Sequence, residues 1–153
     1  MRDQYDREIN YMRLSVTDRC NLRCRYCMPE EGVCKKRHEE MLTEDEMIAA
    51  VEAGASLGIT KLRITGGEPL GKRNIITLCA RAVEGIREVA ITTNGVLLPR
   101  LAKGLRAVGV SRVNLSLDTL KPDKYARITR IGTLSSALAG LDAALNAGFD
   151  KVK

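Results

Sequence analysis

Apolar and polar positions recur in one pattern along this chain: a glycine, an apolar residue, two variable residues and a second apolar residue. The pattern opens at Gly58, Gly85, Gly109 and Gly148. Glycine suits the left-handed backbone position just past the end of a helix, and the short apolar run that follows is typical of a strand. Each repeat therefore predicts a helix end followed by a strand.

Helical patterns lie before or between these repeats. The first helix is predicted to begin at Thr43, because Thr43 and Glu46 have the spacing of a capping box. The apolar face of that helix follows the helical period and consists of Met47, Ile48, Val51, Ala55 and Leu57. Further helices are predicted over residues 75–83, 97–108 and 122–147, the last of them broken near Gly132.

A strand predicted over residues 12–17 precedes the first helix, so strands and helices alternate along the chain. This alternation is typical of a parallel sheet with right-handed crossovers, in either a doubly wound sheet or an α/β barrel. Polar clusters follow the predicted strands at 65–68, 92–95 and 116–118, and barrels collect functional groups at the carboxyl ends of their strands. We therefore predict an α/β fold, built as a partial TIM-type parallel (β/α) barrel.

Side-chain alternation separates an apolar and a polar face in the predicted strands. Arg13 and Arg63 fall on the polar face, opposite the row that contains Leu14 and Ile64. A guanidinium that points into a barrel is costly to bury unless it meets an anion, so both arginines are predicted to contact a ligand. On an open sheet the same face would meet solvent, and this alternative stays open.

Length and composition fit one globular domain with an aliphatic core. The 153 residues are 44% hydrophobic but only 3% aromatic, and one domain is the natural expectation at this length. The formal net charge of +6 favours an anionic partner such as a phosphate-bearing small molecule, or reflects a solvated basic surface. Interleaved aromatic and basic residues are missing, which argues against nucleic-acid binding. Neither a leader nor a membrane-spanning run is recognisable, which predicts a cytoplasmic protein.

Three cysteines stand close together with the spacing C-x3-C-x2-C: Cys20, Cys24 and Cys27. Iron–sulfur clusters are held by cysteine thiolates, commonly four, so three would leave one iron of a four-iron cluster open to a small molecule. The alternatives are a zinc site with Cys34 or His38 as fourth ligand and disulfide pairing, which a reducing compartment disfavours. The spacing alone favours the cluster.

Two motifs together resemble a known superfamily. The cysteine motif, with Tyr26 before its last cysteine, is similar to the signature of radical S-adenosylmethionine (SAM) enzymes, and Gly66-Gly67-Glu68-Pro69 is similar to the second motif of that superfamily. Within it, residues 14–21, 62–69, 92–95 and 114–118 resemble the GTP 3',8-cyclases of molybdenum cofactor biosynthesis. The resemblance extends over essentially the whole chain.

The resemblance implies a cofactor, a cosubstrate and a substrate. It implies a [4Fe-4S] cluster on Cys20, Cys24 and Cys27. It places SAM contacts at Tyr26, Gly67, Glu68 and Ser116, and GTP contacts at Arg13, Arg63, Thr92 and Lys153. It further implies an electron donor of the flavodoxin or ferredoxin type, cleavage of SAM to a 5'-deoxyadenosyl radical, abstraction of the ribose C3' hydrogen and attack on guanine C8.

The chain departs from this family in length, since the carboxyl-terminal half with a second cysteine triad has no counterpart here. We therefore expect residues 1–153 to form a radical SAM core that ends after about four and a half β/α units. That core is expected to bind the cluster and SAM but to be incomplete for turnover. An exposed last strand favours pairing into a homodimer. The alternatives are another radical SAM enzyme, such as a peptide-modifying or activating enzyme, and a zinc-binding structural or interaction module.

Overall fold

Strands and helices alternate through the computed structural model, which describes residues 2–34 and 36–153. The strands are β1 (Tyr11–Ser15), β2 (Lys61–Thr65), β3 (Glu88–Thr93), β4 (Arg112–Leu115) and β5 (Lys151–Val152). The helices are α1 (Glu44–Ser56), α2 (Ile75–Gly85), α3 (Leu98–Ala107), α4 (Pro122–Thr129) and α5 (Leu134–Asn146). The predicted order of elements is confirmed, including the break between α4 and α5.

The five strands form one parallel sheet in the order β1-β2-β3-β4-β5. Right-handed crossovers that always step in the same direction leave their helices on one face of the sheet. A doubly wound sheet needs a reversal of strand order, and this order has none. The predicted α/β class is thus confirmed, and the strands follow the winding of a barrel while the sheet stays open between β1 and β5.

The core lies between the apolar face of the sheet and the helices. Leu14, Ile64, Ile91 and Val113 occupy one register row across β1 to β4, and all four are buried. Side chains from the helices complete this aliphatic cluster, among them Val51, Leu78 and Leu105. Each fully buried aliphatic side chain contributes about 1.5–3 kcal/mol, so the opposite, polar face of the sheet does not have to supply the stability of the fold.

The capping box and the glycines predicted to follow helix ends are confirmed, except at Gly85. Thr43 and Glu46 form the capping box, with Thr43 N donating to Glu46 Oε2 at 2.8 Å. Gly58 and Gly148 adopt positive φ values of 94° and 75°. The left-handed conformation expected at Gly85 is wrong, because Gly85 is the last residue of α2 and the chain continues directly into extended backbone at Ile86.

None of the helices within residues 2–34 and 36–153 combines the length and the apolarity that crossing a bilayer requires.

Candidate metal centre

A cavity of about 210 Å³ opens at the carboxyl ends of the strands, and we call it the strand-end cavity. It is lined by Arg13, Cys20, Leu22, Cys24, Tyr26, Cys27, Thr65, Gly66, Gly67, Glu68, Thr92, Thr93, Asn94 and Ser116. Every site residue predicted from the sequence is in this set except Arg63 and Lys153. Residues from four separate stretches of the chain therefore meet at one place.

The cysteine loop is folded by its own backbone. Cys24 O accepts hydrogen bonds from Cys27 N at 2.9 Å and from Met28 N at 3.1 Å, and Leu22 N donates to Cys20 Sγ at 3.4 Å. Partial burial raises the pKa of Cys24 and of Cys27, and the negative charges of Cys20 and Asp118 raise both pKa values further, while a hydrogen bond from Tyr26 lowers that of Cys24. All five cysteines are free thiols.

The donor set fits an iron–sulfur cluster. Three thiols line the same cavity, and in a cluster each thiolate binds a different iron. Throughout the described ranges no three His, Cys, Asp or Glu side chains converge on a single-ion position. Cys34, one proposed fourth ligand for zinc, is exposed and is not among the lining residues. The side chain of His38, the other, lies outside the described residues.

The two sequence motifs are joined by backbone hydrogen bonds. Gly67 N donates to Thr17 O at 2.7 Å, and Glu68 N donates to Arg19 O at 2.7 Å, immediately before Cys20. A Cβ atom at Gly67 would come closer than 3.0 Å to the carbonyl oxygen of Arg19. Glycine is therefore required at position 67 for the second motif to lie against the start of the cysteine loop.

Glu68 is buried, with 2% of its surface exposed. Its carboxylate accepts hydrogen bonds from Leu70 N at 3.0 Å, from Thr93 Oγ1 at 2.7 Å and from Asn94 N at 2.8 Å. Burial raises the pKa of Glu68 above its ordinary 4.5, while the bonds from Asn94, Thr93 and Leu70 lower it. The carboxylate thus ties the end of β2 to the end of β3.

The raised pKa of Glu68 predicts a pH-dependent contribution to stability. The folded chain keeps the proton to a higher pH than the unfolded chain, so the free energy of unfolding falls as pH rises above 4.5 and through the folded-state pKa. The slope from one such group is at most about 1.4 kcal/mol per pH unit. Urea unfolding, measured from about pH 4 to about pH 8, should show this fall in the free energy of unfolding for the parent chain and not for Glu68→Gln.

The control for this measurement is Glu52→Gln, which alters an exposed glutamate on α1. It should keep the pH profile of the parent chain. A Glu68→Gln profile that is superimposable on the parent profile would contradict the assignment of the titration to Glu68.

Tyr26 connects the cysteine loop to the segment after β4. Its hydroxyl donates to Asp118 Oδ2 at 2.9 Å. Partial burial and this hydrogen bond to the Asp118 carboxylate raise the pKa of Tyr26. The phenol therefore stays protonated and acts as a donor across the opening of the strand-end cavity.

The polar face of the sheet carries the predicted cations. Arg13 and Arg63 are register partners on β1 and β2, with Arg13 exposed and Arg63 half-buried. The Arg63 guanidinium lies 5.5 Å from the centre of the Tyr11 ring. Both arginines thus lie on the predicted polar face, which becomes more exposed towards β1.

Three buried polar atoms on this face lack a hydrogen-bond partner among the described residues. They are Arg63 Nε, Thr92 Oγ1 and Asn114 Nδ2. Thr92 and Asn114 are register partners on β3 and β4. Buried polar groups are nearly always hydrogen-bonded, so a group of unpaired ones on one face is the arrangement expected of a surface that binds a polar ligand.

Lys153 and Ser116 extend this face at β4 and β5. Lys153 N donates to Val113 O at 3.0 Å, and Leu115 N donates to Lys153 O at 2.8 Å, so the backbone of Lys153 is paired with β4. Ser116 N donates to Thr93 O at 2.8 Å and holds Ser116 at the end of β4. Both side chains are on the exposed part of the polar face.

Sequence reasoning assigned no role to Thr93, Asn94 or Asn21, although the polar cluster at 92–95 was recognised. Thr93 Oγ1 donates to Glu68 and accepts from Gly95 N at 3.0 Å. Asn94 Nδ2 donates to Asn21 Oδ1 at 2.7 Å. These residues join the end of β3 to both motifs, and their partners are too distant in sequence for a local pattern to indicate them.

Comparison with known proteins decides the family. The profile of the Radical SAM superfamily matches residues 14–153. This chain belongs to the radical SAM superfamily. Membership implies a [4Fe-4S] cluster and SAM, in agreement with the donor set of the strand-end cavity.

Curated relatives are similar over the full chain. The GTP 3',8-cyclase of Alkaliphilus oremlandii is 54% identical over 155 residues, which cover 100% of this chain and 48% of that protein. The GTP 3',8-cyclase of Geobacter sulfurreducens is 52% identical over 153 residues, or 99% of this chain and 47% of that protein. The chain spans about half the length of the curated relatives it matches.

Solved structures share the fold. The crystal structure of HydG, a maturase of the [FeFe]-hydrogenase, superposes with a TM-score of 0.75 at 23% identity, covering 93% of this chain and 33% of HydG. BtrN in complex with AdoMet and 2-DOIA superposes with a TM-score of 0.62 at 20% identity, covering 87% of this chain and 55% of BtrN. At these identities the likeness establishes the fold alone.

Proposed function

We propose that residues 1–153 form the radical SAM core of a GTP 3',8-cyclase, which acts at the first step of molybdenum cofactor biosynthesis. The observation that carries the proposal is the strand-end cavity, where three thiols, the Gly-Gly-Glu segment and Arg13 of the polar sheet face meet. Identity near 50% to curated GTP 3',8-cyclases over the whole chain supports the same reaction. The product is the 3',8-cyclo derivative of GTP.

Cys20, Cys24 and Cys27 are the proposed ligands of the [4Fe-4S] cluster. When bound, the cluster supplies the electron that cleaves SAM to methionine and a 5'-deoxyadenosyl radical. The chain holds the cysteine loop against the second motif through Thr17 and Arg19. This contact supports a cosubstrate site beside the cysteine loop and the second motif.

Tyr26, Gly67, Glu68 and Ser116 are the proposed contacts to SAM. Gly67 lets the second motif lie directly against the start of the cysteine loop, because a Cβ atom there would collide with the carbonyl oxygen of Arg19. Glu68 positions the ends of β2 and β3 through its three hydrogen bonds. Ser116 and Tyr26 present hydroxyl groups at the rim of the cavity.

Arg13, Arg63, Thr92 and Lys153 are the proposed contacts to GTP. Guanidinium groups match phosphate oxygens through bidentate, charge-assisted hydrogen bonds. The unpaired Nε of Arg63 and hydroxyl of Thr92 support a polar ligand on this face. Asn114 joins the proposed set, because its unpaired amide is the register partner of Thr92.

Arg63→Ala is expected to weaken GTP binding about tenfold, the effect of losing a charge-assisted hydrogen bond to phosphate. Isothermal titration of the reconstituted chain with GTP measures the change. Arg87→Ala is the matched control, because Arg87 is exposed in the turn between α2 and β3, and it should bind GTP like the parent chain. Equal affinities of Arg63→Ala and the parent chain would refute the GTP site on this face.

The function itself is tested under anaerobic conditions with iron, sulfide, SAM and a low-potential reductant. We expect 5'-deoxyadenosine to form and GTP to stimulate its formation. Formation without any response to GTP would favour another radical SAM enzyme. Colourless protein that retains zinc after reconstitution with iron and sulfide would favour the zinc-binding module.

Three further expectations belong to this proposal. A flavodoxin- or ferredoxin-like protein is the expected electron donor. A reducing cytoplasm is the expected compartment, because it keeps thiols such as these free. Pairing of two copies into a homodimer along the exposed β5 edge stays a prediction, and sedimentation of the chain at several concentrations would measure it.

A further inference from the structure

The end of α4 has an unusual backbone. Arg130 follows the helix with φ 63° and ψ −44°, and Ile131 N donates to Thr129 O at 2.9 Å across it. This is a γ-turn with a positive φ at its centre, a rare and strained conformation for a residue with a side chain. Strained backbone persists only where surrounding contacts hold it, and it concentrates at functional sites.

Both side-chain hydrogen bonds of Arg130 reach the cysteine loop. Its guanidinium nitrogen Nη1 donates to Arg23 O at 2.7 Å and to Met28 O at 2.9 Å. These two carbonyls lie on either side of Cys24 and Cys27 in the chain. One guanidinium thus bridges the two ends of the segment that contains both cysteines.

The backbone of the same turn makes two further hydrogen bonds to this loop. Arg23 N donates to Thr129 O at 3.1 Å, and Arg25 N donates to Ile128 O at 2.9 Å. The last carbonyls of a helix have no partner within the helix, and here amides of the cysteine loop satisfy two of them. Arg25 Nε also donates to Arg127 O at 2.8 Å. The loop and the end of α4, about a hundred residues apart, are therefore bonded at five points.

We propose that residues 128–130 form a clamp, the α4 clamp, and that Arg130 is a positioning residue that holds Cys24 and Cys27 in the cluster-binding conformation. The proposal rests on the ligand roles proposed above for the three cysteines. In the competing explanation Arg130 merely ends the helix. Glycine ends helices better than arginine at a positive φ, so the two explanations differ for an Arg130→Gly variant.

Arg130→Gly therefore separates positioning from helix termination. It relieves the backbone strain but removes both hydrogen bonds to the loop. Arg127→Ala is the matched control, because Arg127 is an exposed arginine on the same helix. Two readouts are compared in the parent chain, Arg130→Gly and Arg127→Ala: the rate of iron loss from the reconstituted chain to a chelator, and the rate of Cys24 alkylation in the metal-free chain.

For Arg130→Gly we expect iron loss and Cys24 alkylation each about tenfold faster than in the parent chain, because two charge-assisted hydrogen bonds are gone. Alkylation of Cys34, which lies outside the clamped segment, should be unchanged in the same sample. Arg127→Ala should match the parent chain in both rates. Parent-like rates in Arg130→Gly would overturn the proposal.

Failure of the ligand assignment would give a different result. A parent chain that takes up no iron under reconstitution would refute the cysteine ligands, and with them the positioning role. The alkylation of Cys24 in the metal-free chain would still show whether the clamp restrains the loop, so the two failures are distinguishable.

Discussion

Replacing Cys24 by serine is expected to abolish iron–sulfur binding by this chain. A serine hydroxyl is a poor substitute for the soft thiolate that iron–sulfur clusters require. Cys24 is central in the cysteine loop, since its carbonyl accepts the hydrogen bonds from Cys27 and Met28 that shape the loop. Iron and acid-labile sulfide, measured after anaerobic reconstitution, should fall from about four of each per chain to near zero.

Cys34→Ser is the matched control for this substitution. Cys34 is exposed and does not line the strand-end cavity, so its variant should retain the iron and sulfide of the parent chain. Undiminished iron in Cys24→Ser would refute the proposed ligand set. Equal loss of iron in both variants would favour a site that includes Cys34, as the zinc alternative requires.

Gly67→Ala is expected to lower the free energy of unfolding by about 3 kcal/mol, at the upper end for overpacking, because the added methyl group meets backbone that cannot yield as a side chain would. The collision is with the carbonyl oxygen of Arg19, which also accepts the hydrogen bond from Glu68 N. The midpoint of thermal unfolding should fall by about 6–12 °C for a chain of this size. SAM binding, measured by titration, should be lost as well.

Gly71→Ala supplies the comparison, because a Cβ atom at Gly71 meets nothing within 4 Å. It lies in the same loop after β2 and should change neither the unfolding midpoint nor SAM binding. A Gly67→Ala variant as stable as Gly71→Ala would show that the two motifs do not require their close approach. Lost stability with intact SAM binding would assign Gly67 to folding alone.

Hydrogen bonding within the protein changes the roles expected of the motif side chains Glu68 and Tyr26. Glu68 directs its carboxylate to Leu70, Thr93 and Asn94, and Tyr26 directs its hydroxyl to Asp118. Both side chains therefore organise the walls of the strand-end cavity. They contribute to a cosubstrate site by holding β2, β3 and the cysteine loop in place, in addition to any direct contact with the cosubstrate.

Much of the fold follows from short-range signals. The capping box at Thr43, the buried positions Met47, Ile48 and Val51 of α1 and the break between α4 and α5 are confirmed, because caps and periodic burial act within a few residues. Leu57, predicted on the same apolar face, is wrong, because it follows the last residue of α1 and is exposed. Gly85 shows the limit of such signals, since the same residue type at the same place in the repeat ends α2 without a left-handed turn.

The cysteine spacing, the Gly-Gly-Glu segment and the polar faces of the strands indicated the chemistry of the site from local pattern alone. The tertiary structure decided which of these groups meet, because the sheet order brings the ends of β1 to β4 to one edge. It also decided that Glu68 bonds to β3 and that Arg130 holds the cysteine loop from about a hundred residues away. A hydrogen bond depends on distance in space, and only the packing of the chain sets that distance.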